Sequence, residues 1–286
     1  MPRNAMMAVM LALMTLTCLN SVAHSLNDRT HEHDHVQPEQ DVREFVRRSL
    51  DDFRISGNDE VLERARATLA PALMKQPSAA LLVDAAAVAQ AQHRFDDALI
   101  LIDRATSKQP GFARAWLLRA AILLVRGEPD AAARACRQLR GVPAVITMTC
   151  RARVQIARGA NQTALRQMQG MLAALNRAHT NKPWLAWALS VAGDAAAPAQ
   201  PDLAADYYAE SLLLVDNAQV RAALLDLLID AERWSDARDT LGSRRGSLAL
   251  DVRRLIVGIN TSEPGALDEE VHAADLRFRR WIGRSD

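Results

Sequence analysis

The chain has 286 residues, 49% of them hydrophobic and 24% charged, which suits a folded protein with a sizeable core. With 35 Lys and Arg against 34 Asp and Glu there is no basic excess to hold a polyanion, so a dedicated nucleic-acid binder is disfavoured. Three Cys are too few for a disulfide scaffold, and 12 Gly with 11 Pro argue against a turn-rich all-β chain.

The first predicted element is an export signal over residues 1–23. Arg3 supplies the positive start, Met6 to Leu16 is mostly apolar, and Ser21-Val22-Ala23 sets small residues at the last and third-last places of a cleavage site. The apolar stretch is too short to span the roughly 30 Å of hydrocarbon in a bilayer, and no later stretch is long enough, so no transmembrane segment is expected once the signal is removed. Thr15-Leu16-Thr17 before Cys18 fits a lipidation signal poorly. A polar leader follows over residues 24–41, read as a flexible linker. It holds His31, His33 and His35, alternating with Glu32 and Asp34. Neutral imidazoles are good ligands for a divalent metal, and alternate residues of an extended chain point the same way. Nothing nearby orders them, so a solvated linker is the simpler account.

From there the chain repeats. Ala65, Ala98, Ala132, Ala164, Ala204 and Ala237 are spaced by 33, 34, 32, 40 and 33 residues. Each lies shortly after a turn, as in His93-Arg94-Phe95-Asp96-Asp97-Ala98 and Glu232-Arg233-Trp234-Ser235-Asp236-Ala237. An apolar helical run precedes most of them, as in Ala79–Gln92, Ala113–Arg126 and Gln219–Asp230, and a second run follows, as in Ala98–Ser107. The period is therefore helix, short turn, helix. The long step of 40 contains Ala195 to Pro201, which reads as an enlarged turn.

On these residues the chain resembles the tetratricopeptide repeat family. The unit over Ala79–Pro110 fits in register through Leu82, Ala86, Ala89, Phe95, Ala98, Ala105 and Pro110. Pro129 and Pro201 stand where the pattern has a turn aromatic, and Leu139 and Met171 where it has a later Ala. The resemblance implies an all-α fold, a right-handed solenoid of antiparallel helix pairs with about six units over residues 42–264. Residues 265–286 read as a C-terminal capping helix, with Asp268, Glu269 and Glu270 early and Arg277, Arg279 and Arg280 late, an order that suits the helix dipole.

No Gly-rich phosphate loop, His-Glu-x-x-His or Gly-x-Ser-x-Gly is present, and His93, His179 and His272 have no nucleophile at a persuasive spacing. No catalytic residue, enzyme activity or organic cofactor is expected. By the repeat register Cys136 falls on the second helix of one unit and Cys150 on the first helix of the next, where two thiols either bridge or pack as small free hydrophobes. In the family, first helices line a concave groove that holds a partner peptide. By register that groove carries Gln90, Arg114, Leu117, Arg153 and Asp226, with Arg114 and Arg153 as anchors because Arg is enriched at binding hot spots. The apolar positions read equally well as packing between units. The resemblance thus implies a non-catalytic scaffold for a protein or peptide, and the pattern of residues 1–23 leads to the expectation that it is exported to the periplasm. The alternative is a metal-handling accessory protein using His31, His33 and His35.

Overall fold

The computed structural model describes residues 37–56, 58–242 and 248–261. The signal, His31, His33, His35 and the segment 265–286 lie outside the described residues. Thirteen α-helices and one short 3-10 helix make up the described chain, with no strand among the described residues. They are α1 (Gln37–Ser56), α2 (Asp59–Leu73), α3 (Ala79–Ala91), α4 (Phe95–Lys108), α5 (Ala113–Val125), α6 (Pro129–Arg137) and α7 (Ala144–Ala157). They continue as α8 (Asn161–Ala174), α9 (Lys182–Ala196), α10 (Pro201–Leu214), α11 (Ala218–Asp230), α12 (Trp234–Leu241) and α13 (Leu248–Thr261). The fold is the all-helical solenoid expected from the repeat.

Helices pair as α1/α2, α3/α4, α5/α6, α7/α8, α9/α10 and α11/α12, and each second helix also packs on the first helix of the next pair. First helices touch one another along the row (α1–α3, α3–α5, α5–α7, α7–α9, α11–α13), whereas consecutive second helices make no comparable contact. The first helices therefore form the inner row of the stack and the second helices the outer one. Sandwiched helices lose their polar face. On α5, Ala115, Leu118 and Ile122 face a core shared with α1–α4, while Leu117, Ala120 and Ala121 face the core that runs on to α13.

The six register alanines are all fully buried. Their small side chains let paired helices approach closely at the crossing. Five second helices start three residues before that alanine, at Phe95, Pro129, Asn161, Pro201 and Trp234. Pro129 and Pro201 thus occupy a first helical position, where the missing N–H costs nothing. Five residues before the alanine the backbone turns left-handed at His93 (φ 58°), Gly127 (74°), Gly159 (76°) and Glu232 (55°). There the next N–H closes back on the first helix, as from Arg94 N to Ala89 O (2.8 Å) and Glu128 N to Leu123 O (2.8 Å). Gly accepts this conformation without steric cost, and His93 and Glu232 do not. At the turns a side chain reaches the start of the preceding unit's second helix: Gln92 Nε2 donates to Glu63 Oε1 (2.7 Å), Arg126 pairs with Asp96, and Arg158 pairs with Asp130.

Two boundaries differ from the sequence reading. Helix α1 begins at Gln37, inside the stretch expected to be a flexible linker. Glu39, in its first turn, accepts a hydrogen bond from the Ser78 hydroxyl, and so fastens this helix to the start of α3. The extra length between Ala164 and Ala204 is not mainly in the turn before Pro201, which is four residues against three in the turns before Phe95, Pro129, Asn161 and Trp234. Most of it lies between α8 and α9, in a connection that contains the 3-10 helix Arg177–His179.

Candidate interaction surface

The inner row was the expected partner groove, and burial shows how little of it is free. Residues 79–90 of α3 and 185–196 of α9 are entirely buried, because each helix is packed between its own partner and both helices of the preceding pair, and α3 also meets the next first helix. Gln90 and Leu117 are buried and offer no side chain to a partner. Arg114, expected to anchor a ligand, is 3% exposed and pairs with the fully buried Asp84. Arg43 from α1 takes the other oxygen, Nε to Oδ2 at 2.8 Å. One carboxylate thus ties three consecutive first helices. A charge taken out of water costs several kcal/mol unless paired, and Asp84 has two guanidinium partners.

Arg153, the other expected anchor, is also turned into the fold. Its Nη1 lies 3.2 Å from Asp194 Oδ2 on α9, and both side chains are 10% exposed. The other Asp194 oxygen accepts the Tyr208 hydroxyl at 2.8 Å. Burial pushes the Asp194 carboxyl above the ordinary range, and Arg153 and Tyr208 oppose that shift. The Tyr208 phenol is pushed well up, first by burial and then by the neighbouring carboxylate. Gly193 makes room for that ring: a Cβ there would sit 2.5 Å from Tyr208 Cε1. Asp226 is the one expected groove residue with substantial exposure, 47% of its side chain, and Arg253 on α13 grips it through Nε (2.7 Å) and Nη2 (2.5 Å). The charged groove candidates are thus the ties between first helices. A single charged residue inside an otherwise apolar helix, such as Asp84 in Ala79–Ala91, was the signal of a buried pair.

Among the first helices between α1 and α13, α7 keeps the most open surface. Ala144, Arg151, Ala157 and Arg158 are exposed there, and Thr147, Met148 and Gln155 are half-buried. These positions recur every three or four residues, so they form one stripe. The sequence reading missed it because it weighed Arg153, which lies on the opposite side of the same helix. Next to the stripe, Cys150 is joined to Cys136 of α6 with the sulfur atoms 2.00 Å apart and the Cα atoms at 5.9 Å. Both cysteines are buried. His93 packs edge-on against Phe95, and His179 lies 3.1 Å from Asn176 through Nδ1. Neither meets a nucleophile. Among the described residues no group of three His, Cys, Asp or Glu is placed to hold a metal ion, and no helix is long and apolar enough to cross a membrane.

No protein-family model and no curated protein matches the sequence. Solved structures do match. The Cut9–Hcn1 hetero-tetramer of the APC/C aligns over 80% of this chain and 45% of its own, with a TM-score of 0.53 at 16% identity, so this chain spans under half of that protein. A tetratricopeptide repeat protein from Parabacteroides merdae aligns over 84% of this chain and 92% of its own (TM-score 0.48, 17% identity). PilF of Pseudomonas aeruginosa aligns over 71% and 91% (TM-score 0.49, 13% identity). In fold, the chain is a solenoid of the tetratricopeptide-repeat type.

Proposed function

We propose that this chain is a non-catalytic scaffold that holds a partner protein or peptide, and that it is exported to the bacterial cell envelope, most simply the periplasm. The observation that carries the scaffold reading is the inner row itself. Its ionisable side chains Asp84, Arg114, Arg153 and Asp194 are paired between helices, while α7 keeps a mixed polar and apolar stripe open. That stripe offers Thr147, Met148, Arg151 and Gln155 to a ligand. It suits a peptide, which hydrogen-bonds and buries a side chain, better than it suits a reacting small molecule. Export is supported by the pattern of residues 1–23 and by the Cys136–Cys150 bond, since disulfides persist in oxidising compartments. Metal handling through His31, His33 and His35 has no observation in its favour.

The test is site-specific photocrosslinking in cells. A photoreactive residue at Gln155 is compared with one at Gln169, on the outer side of α8. The expected result is one dominant adduct from position 155, lost when Arg151→Glu is added, on a chain whose N-terminus is His24. No adduct from the α7 stripe would end the scaffold reading, and a chain that retains Met1 would end the export reading.

A further inference from the structure

The chain's near-neutral balance conceals a segregation of charge. Between Asp130 and Asp194 the sequence has eight Arg and one Lys, and no Asp or Glu. Arg153, Arg158 and Arg177 are used inside the fold, on Asp194, Asp130 and Glu210. Five others are exposed without an ionic or hydrogen-bonding partner: Arg151 on α7 and, on the outer side, Arg134 and Arg137 on α6, Arg140 just after it, and Arg166 on α8. Helices α6 and α8 are consecutive members of the outer row. Arg134 and Arg166 each lie two residues beyond a register alanine, so they occupy the same place one pair apart. Arg134 and Arg137 stand in the last turn of α6, where the helix dipole favours cations, and Asp130 in the first turn of that helix is held by Arg158. Apart from Asp130, which Arg158 holds, the other exposed polar side chains here, Gln138, Gln162, Thr163 and Gln169, are neutral.

We infer that the outer face of α6 and α8 docks an acidic segment of a partner protein, with its carboxylates taken by Arg134, Arg137, Arg140 and Arg166. This rests on the scaffold reading and names the partner's chemistry. Guanidinium groups form two-pronged bonds to carboxylates, and a face of arginines on fixed helices rewards a ligand with carboxylates in sequence. A nucleic acid fits less well, because residues 131–183 contain no Phe, Tyr or Trp on which a base could stack. A membrane surface fits less well too. The exposed large apolar side chains of the described chain, such as Met74, Leu213 and Ile259, all lie outside residues 131–193, so nothing on this face inserts among acyl chains.

The experiment titrates a fluorescein-labelled oligoglutamate peptide with the purified mature chain and follows anisotropy. Three proteins are compared: the natural chain, a face variant (Arg134→Glu, Arg137→Glu, Arg166→Glu) and a charge-matched control (Arg64→Glu, Lys75→Glu, Arg104→Glu). All the replaced side chains are exposed and unpartnered, and circular dichroism checks that both variants fold. The expected result is binding that weakens as salt rises towards ~0.15 M and is at least about tenfold weaker in the face variant, with the control close to the natural chain. Equal losses in both variants would replace the face with bulk charge, and no binding at low salt would overturn the proposal outright. Binding to phosphatidylglycerol vesicles but not to oligoglutamate would assign the face to a membrane. Self-association in light scattering, lost in the face variant, would assign it to a second copy. If the α7 crosslink persists in the face variant while oligoglutamate fails to bind the natural chain, the scaffold reading stands and this inference falls.

Discussion

Tyr208 donates its hydroxyl to Asp194 inside the α9–α10 pair, and Arg153 reaches the same carboxylate from α7. The folded-state pKa of Asp194 is raised, so its contribution to stability is present in full below the ordinary Asp range and is lost as pH rises through the folded value. Its partners limit that loss. Tyr208→Phe removes one of them and leaves an ionised oxygen buried without its donor, a change that costs about 1–3 kcal/mol. It also lifts the folded pKa of Asp194 further. The deficit relative to the natural chain should therefore be larger at pH 7 than at pH 4, where more of Asp194 is protonated. Urea melts of both proteins at the two pH values check this. A deficit that does not grow with pH would mean that the hydroxyl serves packing alone.

The short helix α6 has nine residues, too few to be stable without tertiary support. Buried Ala132, Ala135 and Cys136 supply part of that support, and the bond to Cys150 on α7 supplies the rest. The bridge spans a sequence separation of 14, so its removal should cost about 3 kcal/mol by loop-closure entropy. Urea midpoints with and without a reductant measure the loss. Because Cys136 and Cys150 are buried, reduction of the folded chain should be slow and should quicken with denaturant; rapid reduction in native buffer would mean that α6 opens by itself. Element positions were legible in the sequence because spacing alone carries them: one small residue per crossing, one turn five residues earlier. The fate of Arg114 and Arg153 was not. Whether an Arg faces solvent or a buried Asp depends on a residue 30 or 41 positions away, Asp84 or Asp194, and no local period records that distance. The open stripe on α7 was hidden for the same reason, since it is defined by what neighbouring helices fail to cover.

In a stack where each pair touches mainly its neighbours, stability is close to a sum of local units and their interfaces, so damage stays near its origin. The ties between first helices make the consequence specific. Asp84 joins α1, α3 and α5; Asp194 joins α7 and α9; Asp226 joins α11 and α13. Asp226→Ala takes away both oxygens held by Arg253 and leaves its Nε hydrogen bond to the Ala222 carbonyl at 3.1 Å. Because Asp226 is half in solvent, the expected cost is modest, about 1–2 kcal/mol. Its reach is the sharper expectation. Amide hydrogen exchange should quicken through α11, α12 and α13 and leave α3, α4 and α5 unchanged, since five helices intervene. Asp84→Ala should behave differently. It strands the buried Arg114 in the first core and should accelerate exchange across α1 to α5 together. Uniform acceleration along the whole chain in the Asp226 variant would show that the pairs unfold as one body, and that the buried ties couple units well beyond their neighbours.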